Sequence, residues 1–305
     1  MDQLDIAGYN YIDRLYGDST YMPEHRRFPH RLFLGTETSH LIHNWLGVRD
    51  NDYVIGEFIW TGIDYLGEAW NFPGRGSMAG EIDIAGGKKT GFYQRAAYWR
   101  NDPALQLFVL TGEKPKYPWL SQPALIKWNW PGKTNVTVRA ATNCDEVELF
   151  LNNRSLGRKA ISHNLYSNDW SVDYKPGELK AIGYIKGKQV ATSKLHTTDV
   201  ASRLQITSLP LPIASDIVLF EITVADKNGL NIIDGKAAIT VKVEGGGKLI
   251  GLDNGELDYT GSFKTNTRNS YQGSLLVSVQ RTAAEGEIRI TASSPDLSTA
   301  ILQVK

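Results

Sequence analysis

The hydrophobic pattern of this chain changes once along its length, near residue 113, and that change divides the fold into two kinds of architecture. Before it, short and nearly continuous apolar runs alternate with helix-like segments. Residues 4–11, 31–36 and 53–60 read as buried strands. Residues 39–48 read as a helix with Leu41, Ile42, Trp45 and Leu46 on one side, and residues 89–100 as a second, aromatic through Phe92, Tyr93 and Trp99. Strands without polar alternation, separated by helices, predict a parallel sheet covered on both faces.

After residue 113 the signals are short strands with turn chemistry between them. Residues 124–130 lead into Pro131-Gly132, 135–140 alternate, and 146–151 run into Asn152-Asn153, a hairpin turn. Pro176-Gly177 opens a strand over 178–185 that turns at Lys186-Gly187-Lys188. A second series follows over 217–225, 237–244, 275–279, 287–292 and 299–304, with turns at Asp226-Lys227-Asn228-Gly229 and Asp253-Asn254-Gly255. Strand spacing of ~8–12 residues predicts two β-sandwiches of immunoglobulin-like type. The expected division is 1–112, 113–202 and 203–305.

Composition narrows the function. The 33 basic and 33 acidic residues cancel, so the concentrated cationic face that a nucleic-acid partner needs is missing. No run approaches the ~18 apolar residues of a membrane span. The single cysteine, Cys144, has no disulfide partner within the chain and reads as a small buried hydrophobe. No His/Cys cluster has metal-ligand spacing and no glycine-rich phosphate loop follows a strand, so no cofactor or metal is expected. Gly245-Gly246-Gly247 reads as a bulge or turn. The sequons at Asn135 and Asn153 carry little weight.

In a parallel α/β sheet, ligands sit at the carboxyl ends of the strands. Tyr9, Asn10 and Tyr11 follow the first strand, Glu37 the second, and Trp60, Asp64 and Glu68 the third. An aromatic floor, a carboxylate and a tyrosine on neighbouring strand ends suit a sugar, whose C–H face stacks on Trp and whose anomeric carbon a Glu can attack. Plainer readings compete. Glu37 alone fits a solvated loop carboxylate and Trp60 a core residue. Glu57, inside an apolar strand, needs a partner and reads as half of a structural ion pair. His40 and His43 read as satisfied side chains, and Trp128 and Trp130 as packing residues.

These residues carry a family likeness. Residues 4–11, Gly35-Thr36-Glu37-Thr38 and the run from Gly56 through Glu57, Trp60, Asp64 and Glu68 closely resemble the last three strands of the (β/α)8 TIM barrel of glycoside hydrolase family 2, nearest to the Bacteroides type of β-galactosidase. Residues 80–86, with Phe92-Tyr93 and Tyr98-Trp99, resemble that barrel's closing stretch. The region from Pro118 to Val200 and the remainder, with Gly251-Leu252-Asp253-Asn254-Gly255, resemble the Ig-like domains that follow it.

The resemblance implies a retaining glycosidase acting on a carbohydrate, with Glu37 as nucleophile, Tyr11 (or its neighbours Asn10 and Tyr9) as the tyrosine beside it, and Trp60 packed on the sugar. Asn10, Asp64 and Glu68 are further candidates for sugar hydroxyls. The family's acid/base Glu, in an Asn-Glu pair, has no counterpart before Glu37, and the two carboxyls must lie ~5–5.5 Å apart. The expectation is a C-terminal portion of the enzyme, inactive alone, whose partner is the missing N-terminal part; a homo-oligomer stays open. No signal peptide is visible, and the full-length bacterial enzyme is expected in the periplasm or outside the cell. β-Galactosides are the first-choice substrate, because the Asn-x-Lys motif of β-glucuronidases is missing after Trp70, although Arg75, Lys88 and Lys89 are within reach of a carboxylate. The alternatives are another β-glycosidase of the family, β-glucuronidase included, or a non-catalytic carbohydrate-associated module.

Overall fold

The computed structural model describes residues 4–69, 71–114, 122–211, 216–282 and 286–305. Met1 to Gln3, Trp70, and Pro118, where the first sandwich-like likeness begins, lie outside the described residues.

The first part holds three parallel strands, β1 (Ile6–Asn10), β2 (Leu32–Thr38) and β3 (Val54–Ile59), side by side in that order. Helices α1 (Asp13–Tyr16) and α2 (Met22–Arg27) connect β1 to β2, and α3 (Ile42–Arg49) connects β2 to β3. Pro23 opens α2, where its missing N–H has no intrahelical partner to lose. The register sets Ala7 beside Phe33 and Phe33 beside Val54, and these three are buried with Ile12 and Tyr21 in one cluster. Ile6, Leu32 and Ile55, which alternate with them, are exposed. Gly35 keeps this layer tight, since a Cβ there would fall 2.5 Å from the Tyr21 hydroxyl and 2.7 Å from the Thr38 methyl. Glu24 of α2 is nearly buried and accepts hydrogen bonds from Tyr9 on β1 (2.6 Å) and Tyr16 on α1 (2.7 Å). A hairpin of β4 (Tyr65–Leu66) and β5 (Gly76–Ser77) and then α4 (Thr90–Trp99) follow β3.

The chain enters the next layer earlier than the expected boundary at 112/113. Strand β6 (Leu105–Leu110) pairs with β7 (Ala124–Leu125) and β8 (Asn135–Thr142), because its run of Leu107, Phe108 and Val109 is buried against the following strands. With β11 (Ser167–Asp173) they form one sheet; β9 (Glu146–Leu151), β10 (Arg154–Ala160), β12 (Glu178–Ile185) and β13 (Lys188–His196) form the other. Alternate residues of both sheets, among them Val138, Leu149, Trp170 and Leu179, share one core. The Asn152-Asn153 turn has φ of 50° and 64°, the left-handed pair that a two-residue hairpin demands. Of the strand expected over 124–130 only β7 pairs. Trp128 instead leaves the sheet line, fills the core completely, and donates from Nε1 to the Lys175 carbonyl at 3.0 Å. Cys144, between β8 and β9, is fully buried, and a Cβ on Gly183 would lie 2.6 Å from its sulfur.

The last part is an eight-stranded sheet in the order β17-β19-β15-β14-β21-β20-β16-β18, from β14 (Ala201–Leu209), β15 (Ile217–Asp226), β16 (Ala238–Gly245), β17 (Gly247–Asp253), β18 (Thr267–Asn269), β19 (Ser274–Arg281), β20 (Ile288–Ser294) and β21 (Leu297–Val304). Its two halves join through one parallel pair, Arg203 with Ser298, and bury Phe220, Ile222, Val277, Val241 and Ile290 together. The three-glycine run is the turn between β16 and β17. Among the described residues no helix is long and apolar enough to cross a membrane.

Two measurements check this packing. Trp128→Ala leaves a cavity and strands the Lys175 carbonyl, and lowers the stability of this sandwich by about 3–5 kcal/mol in denaturant titrations. The hydroxyls of Tyr9 and Tyr16 hold the Glu24 carboxyl below its usual range. A lowered folded-state value stabilises fully above the unfolded value of about 4.3 and is lost as pH falls through the folded one. The stability gap between the native chain and Tyr9→Phe/Tyr16→Phe is therefore constant above about pH 5 and narrows in acid.

Candidate active site

At the carboxyl ends of β1 and β2 the parallel register slips by one residue, so that Asn10 pairs with Glu37 after Tyr9 has paired with Gly35. Tyr11 then turns into the left-handed region, φ 51°, and its N–H donates to the Glu37 carbonyl at 2.6 Å. This irregularity brings three predicted residues together. The Asn10 amide donates to Glu37 Oε2 at 3.4 Å and is itself oriented by the Thr36 hydroxyl at 2.7 Å. Burial, and then the nearby Glu37 carboxylate, push the Tyr11 phenol far above its usual range, so it stays protonated beside Glu37. Arg14 stacks 3.6 Å from the centre of its ring. Glu37 is half-buried, and its carboxylate accepts from the Asn10 amide.

Trp60 stands next to this group at the end of β3. Its backbone N–H donates to the Thr38 carbonyl at 2.9 Å, the residue is 38% exposed, and the Tyr65 ring meets its ring edge-on at 5.8 Å. The Trp60–Thr61 peptide is cis. Asp64, expected near sugar hydroxyls, is instead buried, receiving Lys89 Nζ at 2.7 Å and the Gly80 N–H at 2.7 Å. Glu68, also a candidate, is exposed and accepts the Tyr65 hydroxyl at 2.5 Å.

Beneath the strand ends runs a buried polar chain. Glu57 on β3 accepts from Arg95 on α4 at 3.1 Å and from the Thr38 hydroxyl at 3.1 Å. The Arg95 and Glu57 side chains are only 5% and 2% exposed, so the ion pair expected for Glu57 is present and fully enclosed. Burial pushes the Glu57 carboxyl up and Arg95 pulls it back. Arg95 Nε also lies 3.9 Å from Glu81, which binds His40 Nδ1 at 2.6 Å, while His40 Nε2 meets the Trp60 carbonyl at 2.9 Å. His43 pairs with Asp18 at 2.9 Å. Sequence reading foresaw that Glu57 needs a partner but had no signal for Arg95, which comes from a helix 38 residues later. Glu81 and Tyr65 were read only as parts of the family-like runs, and Lys89 only as a cation within reach of a substrate, not as the partner of Asp64.

Beside the network lies an open cavity of about 320 Å³, lined by His40, Asp64, Glu81 and Lys89 and by Glu256 and Tyr271 of the last sheet region. Among the described residues no group of three or more His, Cys, Asp or Glu is placed to hold a metal. Arg95→Met would leave Glu57 buried without its countercharge. It should cost about 3–5 kcal/mol in a thermal or chemical melt, several times the loss from cutting the exposed Arg100–Asp102 pair.

Two families match the chain: "Domain of unknown function (DUF4982)" over residues 133–191, and "Glycoside hydrolase family 2 C-terminal domain 5" over residues 213–303. A β-galactosidase of Bacteroides ovatus is 30% identical over 84% of this chain and 29% of its own length. A β-glucuronidase of Formosa agariphila is 25% identical over 55% of this chain and 16% of its own. The crystal structure of a glycosyl hydrolase family 2 member from Bacteroides cellulosilyticus superposes with a TM-score of 0.87 at 28% identity, covering 99% of this chain and 42% of that one. The chain thus spans less than a third of the length of the curated relatives it matches. By sequence and by superposition, the chain belongs to glycoside hydrolase family 2.

Proposed function

We propose that this chain supplies the nucleophile side of a retaining exo-β-glycosidase, with β-D-galactosides as substrate. In this reading β1 to β3 are the last three strands of a (β/α)8 barrel, residues 113–202 and 203–305 make up the greater part of two immunoglobulin-like domains, and β6 belongs with the first of these. The observation that carries the proposal is the Asn10–Tyr11–Glu37 cluster beside the half-open Trp60 ring.

The chemistry follows from that cluster. Glu37 attacks the anomeric carbon and forms the glycosyl-enzyme while the leaving group takes a proton from a second carboxyl group; water then hydrolyses the intermediate, deprotonated by that same group. Asn10 and Tyr11 aim the Glu37 carboxylate. Trp60 supplies the apolar floor, with Tyr65 fixing its tilt. Neither Glu57 nor Asp64 suits the second role, since Arg95 and Lys89 engage them. The acid/base is therefore assigned to the part of the enzyme outside these 305 residues.

The disposition of cations supports a neutral hexose over a uronate. Lys89 is bound to Asp64, Lys88 lies 4.7 Å over Phe92, and Arg75 stacks 5.0 Å over Phe263.

In the full-length enzyme carrying these residues, Glu37→Gln lowers kcat/KM for a nitrophenyl β-galactoside at least ~1,000-fold. Azide partly restores turnover to Glu37→Ala by taking the nucleophile's place. Unchanged turnover in Glu37→Gln removes the assignment. The 305 residues alone leave the substrate intact, and cleavage by them contradicts an acid/base lying elsewhere.

A further inference from the structure

We infer that the last sheet region forms part of the frame of the sugar site: Leu257 and Phe263, on the connection between β17 and β18, are positioning residues that act on Trp60 and Tyr65 through the β4–β5 hairpin. The relevance to sugar binding rests on the role proposed above for Trp60; the mechanical link between the two regions does not.

The link starts at the hairpin. Strand β4 carries Tyr65, whose ring meets that of Trp60 edge-on at 5.8 Å, and it joins β5 through only two residue pairs, Tyr65 with Ser77 and Leu66 with Gly76. The chain leaving β5 then returns to the residues that follow Trp60. The Thr61 N–H donates to the Ala79 carbonyl at 3.2 Å, and the Asp64 N–H to the Ile82 carbonyl at 2.8 Å. The Gly67 N–H donates to the Arg75 carbonyl at 2.8 Å. A displacement of residues 75–82 is therefore transmitted to the aromatic floor. A two-stranded hairpin this short is marginal by itself and needs an outside support.

The β17–β18 connection supplies that support at three points. The Arg75 N–H donates to the Leu257 carbonyl at 3.2 Å, and the Leu257 side chain packs on Gly76, where a Cβ would fall 2.9 Å from it. Gly255, with φ 81°, passes so close to Asp83 that a Cβ would lie 2.8 Å from its carboxyl group. The Arg75 guanidinium lies 5.0 Å over the Phe263 ring. Its Nε and Nη2 are enclosed and find no hydrogen-bond partner among the described residues, so the ring face is what receives the charge. The far end of the grip is fixed. Arg268, buried, lies 4.6 Å from the centre of Phe263 and 3.8 Å from that of Tyr259, and it donates to the Leu252 carbonyl at 2.9 Å and to Asn254 Oδ1 at 2.7 Å. The Phe263 carbonyl accepts the Leu252 N–H at 2.8 Å, and Leu252 belongs to the core of the eight-stranded sheet. Movement of the hairpin is thus opposed by that core.

The test uses the 305-residue chain and the full-length enzyme. In the chain, hydrogen exchange over residues 61–67 reports opening of the hairpin, because Thr61, Asp64 and Gly67 donate across to residues 75–82. Phe263→Ala should quicken it about fivefold, the size of one partly desolvated cation–aromatic contact, and Phe263→Tyr should restore the native rate. Leu257→Ala cuts the same junction at a second point and should also quicken it; it decides alone if Phe263→Ala unfolds the sheet. Exchange over residues 275–279, in the sheet core, should stay unchanged. No rise over 61–67 in a folded variant, or a rise only alongside an equal one over 275–279, overturns the inference. In the full-length enzyme the same variants should raise KM for a nitrophenyl β-galactoside about fivefold and change kcat less than about twofold, since Glu37 stands on β2. Quickened exchange with an unchanged KM supports the frame and counts against Trp60 as a sugar floor, so the two readings fail separately.

Discussion

One buried guanidinium ties the candidate site to the rest of the molecule. Arg95 reaches from α4 to Glu57 inside the parallel sheet and lies beside Glu81 in the segment after the β4–β5 hairpin. Enclosed charges are expensive to desolvate and tolerate little displacement once paired. The strand ends that carry Glu37 and Trp60, the segment that carries Glu81, and α4 are therefore held at fixed mutual positions by one side chain. Thr38 adds a neutral link, with its hydroxyl on Glu57 and its carbonyl receiving the Trp60 N–H.

Above that layer, a one-residue slip assembles the site. In a regular parallel ladder Asn10 would face Thr36; the irregularity sets it against Glu37 and turns Tyr11 back over the carboxylate. The backbone departs from ideal geometry where the polar groups converge, and the hydrogen bonds they make with Glu37 compensate for the lost ladder. On the sheet itself Ile6, Leu32 and Ile55 form the uncovered side. The three strands thus have a satisfied helix-facing layer and an apolar layer that faces solvent in this structure.

Much of this was legible in the residues. Strands β1, β2 and β3 and helix α4 announce themselves by their apolar residues, and the hairpins by Asn152-Asn153 and Lys186-Gly187; helix α3 was read from Leu41, Ile42, Trp45 and Leu46, but the residues it buries are Asn44 and Gly47. Strand β10 did not announce itself, because Arg154–Ala160 is an exposed edge with Leu156 as its one large apolar side chain. Residues 105–110 received no strand reading of their own, and the boundary placed after them sets β6 apart from the sheet it pairs with. In the site, residues close in sequence to strand ends were readable: Asn10, Tyr11, Glu37 and Trp60. The electrostatic partners were not. Lys89 lies 25 residues from Asp64, and no local pattern says that a carboxylate after a strand will turn inward to meet it.

Cys144 has a consequence of a different kind. It is the chain's one thiol, fully enclosed against Gly183 between two sheets, with burial raising its resistance to ionisation. A thiol reagent can reach it only when the first sandwich opens. The molecule thereby carries its own reporter of that event: the rate of modification counts openings of one particular layer, without an added label and without interference from the parallel sheet or the eight-stranded sheet.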